Sequence, residues 1–279
     1  TGRKDKMYSL RQKDGISGFP KREESEYDSF NVGHSGTSIS AASGFAEASF
    51  LKKENNKIIA VIGDGSMTTG MAFEGLNWAG DRKKDLIIVL NDNEMSISPN
   101  VGALSSYLNR LMTGHTVTKL KADLKNFLKG IPGIGDQMIR FSQQIEESLK
   151  TFVVPGALFE ELGFTYVGPL DGHRLDYLVN NFKNIKSLQQ PVLVHVLTKK
   201  GKGYNFAEEK PLNYHGVSPF DVATGRPLAT SAAIPSYTDI FGTTLQKLAR
   251  ENSRIVAVTA AMCEGTGLEQ FSREFPLRF

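Results

Sequence analysis

Residues 61–98 read VIGDGSMTTGMAFEGLNWAGDRKKDLIIVLNDNEMSIS, and two polar triplets within them decide the fold. The apolar run KIIAVIGD (57–64) closes on Gly-Asp-Gly, and a second run, DLIIVLND (85–92), leads into Asn-Asp-Asn. Unbroken runs of strand formers predict strands buried on both faces. The intervening MTTGMAFEGLNWAGD predicts a helix, so the segment is a βαβ unit with parallel strands. Polar residues at the carboxyl ends of two such strands face the place where open parallel sheets bind ligands.

The chemistry of those ends points to a cation and a phosphate. Asp64 and Asn93 offer an anionic and a neutral oxygen, a set suited to a hard octahedral ion such as magnesium. Gly63 and Gly65 let backbone approach closely, and a helix starting near Met67 aims its amides at an anion. Taken alone, Gly-Asp-Gly is more simply a turn with Asp64 capping the next helix. The second triplet, 25 residues further on, makes the pattern long-range.

Around this unit the chain alternates. Residues 1–35 read as loop, and GTSISAASGFAEASFLKK (36–53) as a helix whose small side chains suit close packing. DQMIRFSQQIEESLKTF (136–152) reads as an amphipathic helix. Then follow ALFEELG (helix), FTYVGPL (strand), RLDYLVNNFKNIKSL (helix) and PVLVHVLT (strand, 191–198). The expected fold is α/β, a doubly wound, mostly parallel sheet flanked by helices. The Pro/Ala/Ser/Thr-rich 216–236 reads as a linker. YTDIFGTTLQKLARENS (helix) and RIVAVTAAM (254–262, strand) would then open a second α/β domain. The expected organisation is 1–215, linker 216–236, and 237–279.

Composition narrows the function. The chain has 279 residues, 40% hydrophobic and 23% charged, with a net charge of +3. That charge is too small to argue for nucleic acid, and no apolar run reaches the roughly 20 residues of a membrane helix. A single cysteine, Cys263, excludes an internal disulfide framework and fits a reducing compartment. Thr1 and the abrupt close at Phe279 lead us to expect a chain trimmed at both ends.

Gly-Asp-Gly followed at this distance by Asn resembles the diphosphate-binding signature of thiamine diphosphate enzymes. VGHSGTSIS, GDGSMTTGMAFEGLN, LNDNEMSISPNVGAL, VVPGALFEELGFTYVGPLDGH, TKKGKGY and NYHGVSPFD resemble, in that order, the 1-deoxy-D-xylulose-5-phosphate synthases, a transketolase-like family. The resemblance spans essentially the whole chain. It implies thiamine diphosphate and Mg2+ as cofactors, with the metal held by Asp64, the Asn93 side chain and the Met95 carbonyl. It implies diphosphate contacts from Gly33, His34, Ser35, Gly65 and Ser66. Ile97 would be an apolar wedge that bends the cofactor, Tyr204 a residue of a second cofactor-contacting loop, and His215 a pocket histidine. His34 and His215 are the implied catalytic residues, positioning groups and exchanging protons. The domain at 237–279 becomes the start of a pyrimidine-binding domain.

The implied reaction condenses pyruvate with glyceraldehyde 3-phosphate, with decarboxylation, to 1-deoxy-D-xylulose 5-phosphate. That product opens non-mevalonate isoprenoid synthesis and feeds thiamine and pyridoxal synthesis. The resemblance further implies a homodimer in bacterial cytoplasm, or in a plastid if from a plant or alga. It places an essential glutamate beyond Phe279, so residues 1–279 alone are expected to bind cofactor weakly and to turn over slowly or not at all. Two positions depart from the family pattern: Gly36 where serine is usual, and Arg174 where an acidic residue is common. The alternative reading is a transketolase or the diphosphate-binding subunit of a split one, or, from another class, a phosphate-binding module. His195, alternating with valines, reads as a core or interface residue; it, His115 and His173 receive no chemistry.

Overall fold

A computed structural model of the chain describes residues 2–95, 102–103, 106–107, 156–217, 219–228, 234–260 and 262–279. The helix expected at 136–152 lies outside these residues. The chain divides into two units, one of Thr1–Asp92 with Gly102–Leu197, the other of Asn93–Val101 with Thr198–Phe279.

The first unit is built on four parallel strands. After a short 3-10 turn at Lys4–Ser9 comes helix α1 (Ser38–Leu51), then strand β1 (Ile58–Gly63). Two helices follow, α2 (Asp64–Met67) and α3 (Gly70–Arg82), and then β2 (Leu86–Asp92). The unit closes with α4 (Ala157–Glu161), β3 (Thr165–Asp171), α5 (Leu175–Ile185) and β4 (Val192–Leu197). Sheet order is β1-β2-β4-β3, and every pairing is parallel.

Period-two alternation sorts the strands onto two cores. Leu86, Ile88 and Leu90 of β2 and Leu193 of β4 join Ile39 and Ala42 of α1 and Ala72, Leu76 and Ala79 of α3 on one face. Ile87 of β2 and Val192, Val194 and Val196 of β4 meet Leu178, Phe182 and Ile185 of α5 on the other. Helices on both faces of a parallel sheet are the α/β architecture that the alternating pattern predicts. The small residues of α1 serve its contact with α3, where a Cβ on Gly75 would lie 2.9 Å from the Ser40 hydroxyl oxygen.

Two local expectations are corrected here. β1 is not buried on both faces: among the described residues it is an edge strand, and Ile59 and Val61 are 55% and 63% exposed. Nor does one helix run from Met67. The turn α2 starts at Asp64, and α3 begins afresh at Gly70, because Thr69 adopts an extended ψ of 144° and its hydroxyl accepts the Ala72 amide as a cap.

In the second unit, α6 (Asn205–Glu209) and α7 (Tyr237–Glu251) are followed by α8 (Glu269–Glu274) and a 3-10 turn at Pro276–Arg278. Ser236 and Asp239 form a reciprocal capping box at the start of α7. Its end is held by Arg278, whose guanidinium donates to the Ala249 and Asn252 carbonyls at 3.0 and 3.2 Å. A small core of Ala249, Ala257, Leu268 and Phe271 joins these pieces. The expected strand at 254–262 does not form. Strand geometry needs a partner ladder, and Ala257 donates instead to the Arg278 carbonyl while Val258 stands 91% exposed. Among its described residues, the segment expected as linker carries an antiparallel bridge, Phe220 to Pro227.

Candidate functional site

β1 and β2 end side by side, with Gly63 paired to Asn91. The next residue along each strand is an aspartate withdrawn from water: Asp64 is 2% exposed and Asp92 1%. A carboxylate in that position needs hydrogen-bond donors or a cation to offset lost hydration. Asp64 is the first residue of α2, and Gly65 and Ser66 behind it are half-buried.

The glycines here fall into two kinds. Gly63 has ordinary extended angles, φ −80° and ψ 156°, and a Cβ on it would approach nothing closer than the Asn91 oxygen at 4.0 Å. Gly33 is similar, with Phe19 at 4.0 Å as nearest neighbour. Neither backbone conformation nor packing against the described residues calls for glycine at these positions. They suit a molecule lying on the backbone. Gly36 is the opposite case: its φ is +80°, and a Cβ would meet the Thr69 hydroxyl oxygen at 2.2 Å.

That contact ties the turn carrying Gly33, His34 and Ser35 to the α2–α3 junction. The three residues are exposed at the entrance to α1. His34 Nδ1 lies 2.9 Å from the Ser35 carbonyl oxygen, and the Thr37 hydroxyl donates to the His34 carbonyl at 3.2 Å. Thr69 in turn donates to the Ser66 carbonyl at 2.9 Å. Thus the Gly33–Ser35 turn and the Gly65–Ser66 turn are brought to the same residue.

Beyond β2 the chain makes a tight turn. The Asn93 side-chain oxygen accepts the Met95 amide at 3.1 Å across Glu94, whose φ is +61°. This bond identifies which end of the Asn93 side chain is oxygen, and that oxygen has a second lone pair. An amide oxygen and a backbone carbonyl are hard donors of the kind magnesium takes. Among the described residues no three His, Cys, Asp or Glu side chains form a metal cluster. Ile97 lies outside the described residues.

Tyr204 and His215 belong to the second unit. The Tyr204 hydroxyl donates to the Val222 carbonyl at 2.9 Å, and its ring packs among Phe206, Tyr214 and Phe220. Burial is the main reason its phenol is held above the ordinary value. His215 follows Tyr214 and is exposed, with its amide bonded to the Leu212 carbonyl at 3.2 Å. The basic run at Lys199, Lys200 and Lys202 is anchored by Glu208, which pairs with Lys199 and accepts the Gly203 amide at 2.9 Å. Those two bonds pull the Glu208 carboxyl down to about 2.

One network escaped the sequence. His195 Nε2 lies 2.9 Å from an Asp92 carboxylate oxygen, and its Nδ1 lies 2.7 Å from the Tyr166 hydroxyl. His195 is fully buried. Burial raises the Tyr166 phenol well above its ordinary value, which keeps it a donor. The signal was a lone histidine inside VLVHVL; what it faces depends on strand order, which the sequence does not state.

A sequence model of 1-deoxy-D-xylulose-5-phosphate synthase matches residues 1–198. The 1-deoxy-D-xylulose-5-phosphate synthase of Syntrophus aciditrophicus (strain SB) is 67% identical over the whole chain, which covers 43% of that protein. That of Syntrophotalea carbinolica is 57% identical, again over the whole chain and 44% of the relative. The chain therefore spans less than half the length of the curated relatives it matches. Among solved structures, a transketolase from Campylobacter jejuni aligns with a TM-score of 0.51 at 17% identity, over 97% of this chain and 34% of its own, a likeness of fold alone. With the matched model covering most of its length, the chain belongs to the 1-deoxy-D-xylulose-5-phosphate synthase family.

Proposed function

We propose that this chain binds the diphosphate of thiamine diphosphate through magnesium, as part of an enzyme that condenses pyruvate with glyceraldehyde 3-phosphate and releases carbon dioxide. The observation that carries the reading is the parallel pairing of Gly63 with Asn91, with buried Asp64 directly beyond it. Asp64, the Asn93 side-chain oxygen and the Met95 carbonyl would hold the cation. The open backbone at Gly33 and Gly63, with the amides of Gly65 and Ser66, would receive the diphosphate.

When bound, the cofactor supplies an electron sink for decarboxylation; the protein supplies orientation and electrostatics. Asp64, withdrawn from water, attracts the cation more strongly than an exposed carboxylate would. His34 and His215, both exposed imidazoles, would position substrate groups and exchange protons. Ile97 and Tyr204 are assigned to shaping and contacting the cofactor by family resemblance.

The test is calorimetric titration of the chain with thiamine diphosphate, with and without magnesium, beside Asp64→Ala. Binding that needs magnesium and is lost in the variant is the expected result. Equal binding without magnesium, or binding by ATP as strong as by thiamine diphosphate, would overturn the reading.

A further inference from the structure

Composition reads 216–236 as a linker, yet residues 219–228 fold back on themselves as a hairpin. Phe220 bridges Pro227, the Asp221 amide donates to the Arg226 carbonyl at 2.9 Å, and the Leu228 amide donates to the Pro219 carbonyl at 3.0 Å. Asp221 shapes the turn between them. One of its carboxylate oxygens accepts the Thr224 amide at 2.7 Å and the Thr224 hydroxyl at 2.8 Å, and its carbonyl accepts the Gly225 amide at 2.8 Å. The bonds from Thr224 hold the Asp221 carboxyl below the ordinary carboxylate range. Gly225 closes the turn at a φ of +68°, a conformation natural to glycine.

Two tyrosines that precede the hairpin meet this turn. The Tyr204 hydroxyl donates to the Val222 carbonyl at 2.9 Å, and the Tyr214 hydroxyl to the Gly225 carbonyl at 2.6 Å. The two rings lie edge to face at 5.6 Å, and Phe220 of the hairpin lies 5.9 Å from Tyr204 and 5.4 Å from Tyr214. A Cβ on Gly225 would come within 2.5 Å of the Tyr214 hydroxyl oxygen and 2.8 Å of the Phe206 ring, so the hairpin backbone sits directly on these side chains. All these residues belong to the second unit. A passive connector runs where few contacts cross; this one is bonded through its backbone to side chains from two other segments. Tyr204 is also the N-cap of α6, and its amide donates to the Gly201 carbonyl at 3.1 Å. A ring held at its face and at its hydroxyl restrains the Gly201–Tyr204 turn that carries it.

We propose that the 219–228 hairpin is a clamp on the second cofactor-contacting loop, with Asp221 the positioning residue that shapes it and Tyr204 the side chain it grips. That the loop serves a cofactor rests on the function proposed above; the grip on Tyr204 does not.

The deciding experiment is residue-resolved hydrogen–deuterium exchange on the whole chain, comparing wild type, Asp221→Ala and Asp221→Asn. Asparagine keeps a side-chain oxygen for the Thr224 amide and hydroxyl, and alanine keeps none. In Asp221→Ala the Gly225 and Tyr204 amides should exchange about tenfold faster, the scale of one lost hydrogen bond to a charged group, while Ala249 in α7 stays unchanged. Asp221→Asn should restore most of the protection at both amides. Unchanged exchange at Tyr204, equal loosening at Ala249, or no recovery with asparagine would overturn the proposal. If Asp221→Ala does not fold, Tyr204→Phe decides: faster exchange at Gly225 supports the grip, and unchanged exchange there overturns it. A calorimetric arm titrates the same proteins with thiamine diphosphate and magnesium, and affinity should fall about tenfold in Asp221→Ala and recover in Asp221→Asn. Wild-type affinity in Asp221→Ala despite a loosened Tyr204 would overturn the clamp's service to the cofactor. Binding indifferent to magnesium and to Asp64→Ala would instead sink the cofactor reading and leave exchange at Tyr204 to decide the grip.

Discussion

A Cβ on Gly36 would lie 2.2 Å from the Thr69 hydroxyl oxygen, and Gly36 has a φ of +80°. Both facts disfavour a side chain at this position. Gly36→Ala combines left-handed strain with overlap and should destabilise the first unit by about 2–4 kcal/mol. Thermal unfolding followed by circular dichroism measures this. Loss of less than about 0.5 kcal/mol would mean that the Gly33–Ser35 turn can move away from α3 at little cost.

Asn93 has two assigned tasks, holding the Met95 amide and offering oxygen to a cation. Asn93→Asp keeps an oxygen for both and should retain magnesium-dependent cofactor binding. Asn93→Leu, of similar size, should weaken it about a hundredfold, since no donor remains. Calorimetry on the two variants separates the oxygen from the shape of the side chain. Equal binding by both would remove Asn93 from the cation site.

Glu208 titrates at about 2, against an ordinary 4.5, first because of its bond with Lys199 and then the Gly203 amide. The shift is downward, so the stabilisation is complete above about pH 4.5 and is lost as pH falls through about 2. Carboxyl NMR should find the Glu208 midpoint near that value. Lys199→Ala should move it up toward 4.5, leaving the part owed to Gly203. A midpoint unmoved by that substitution would assign the whole shift to the backbone.

Ser236 caps α7 reciprocally with Asp239. Ser236→Ala leaves the Asp239 amide without its cap and should cost about 1 kcal/mol of helix stability. The readout is amide exchange in the first turn of α7, expected to rise there and not at Ala249. No change would mean that the cap contributes nothing to holding α7.

Much was legible in sequence because it rests on local chemistry. The runs at 57–64 and 85–92 became β1 and β2, with their polar ends at the carboxyl edge, because strand propensity and period-two packing act over a few residues. The same holds for α1, α5, β4 and α7. Where a nearby residue competes, the reading slipped: Thr69 split the expected helix at its own cap. Strand character without a partner also misled. RIVAVTAAM has the composition of a strand, yet a strand exists only in a ladder, and that ladder is a property of other residues.

The residue types of the candidate site, Asp64 between two glycines and Asn93 before Met95, were set by sequence alone, since a hard cation and a phosphate ask for those atoms. Tertiary structure decided what surrounds them. Strand order put Asp92 beside His195, 103 positions later, and brought Tyr166 to its other nitrogen. The approach of Thr69 crowds Gly36, while Gly63 stays open. Those relations are set by which strands neighbour one another and by how closely two helices approach. Both come from burying apolar surface across the whole sheet, and no short stretch of the chain encodes either.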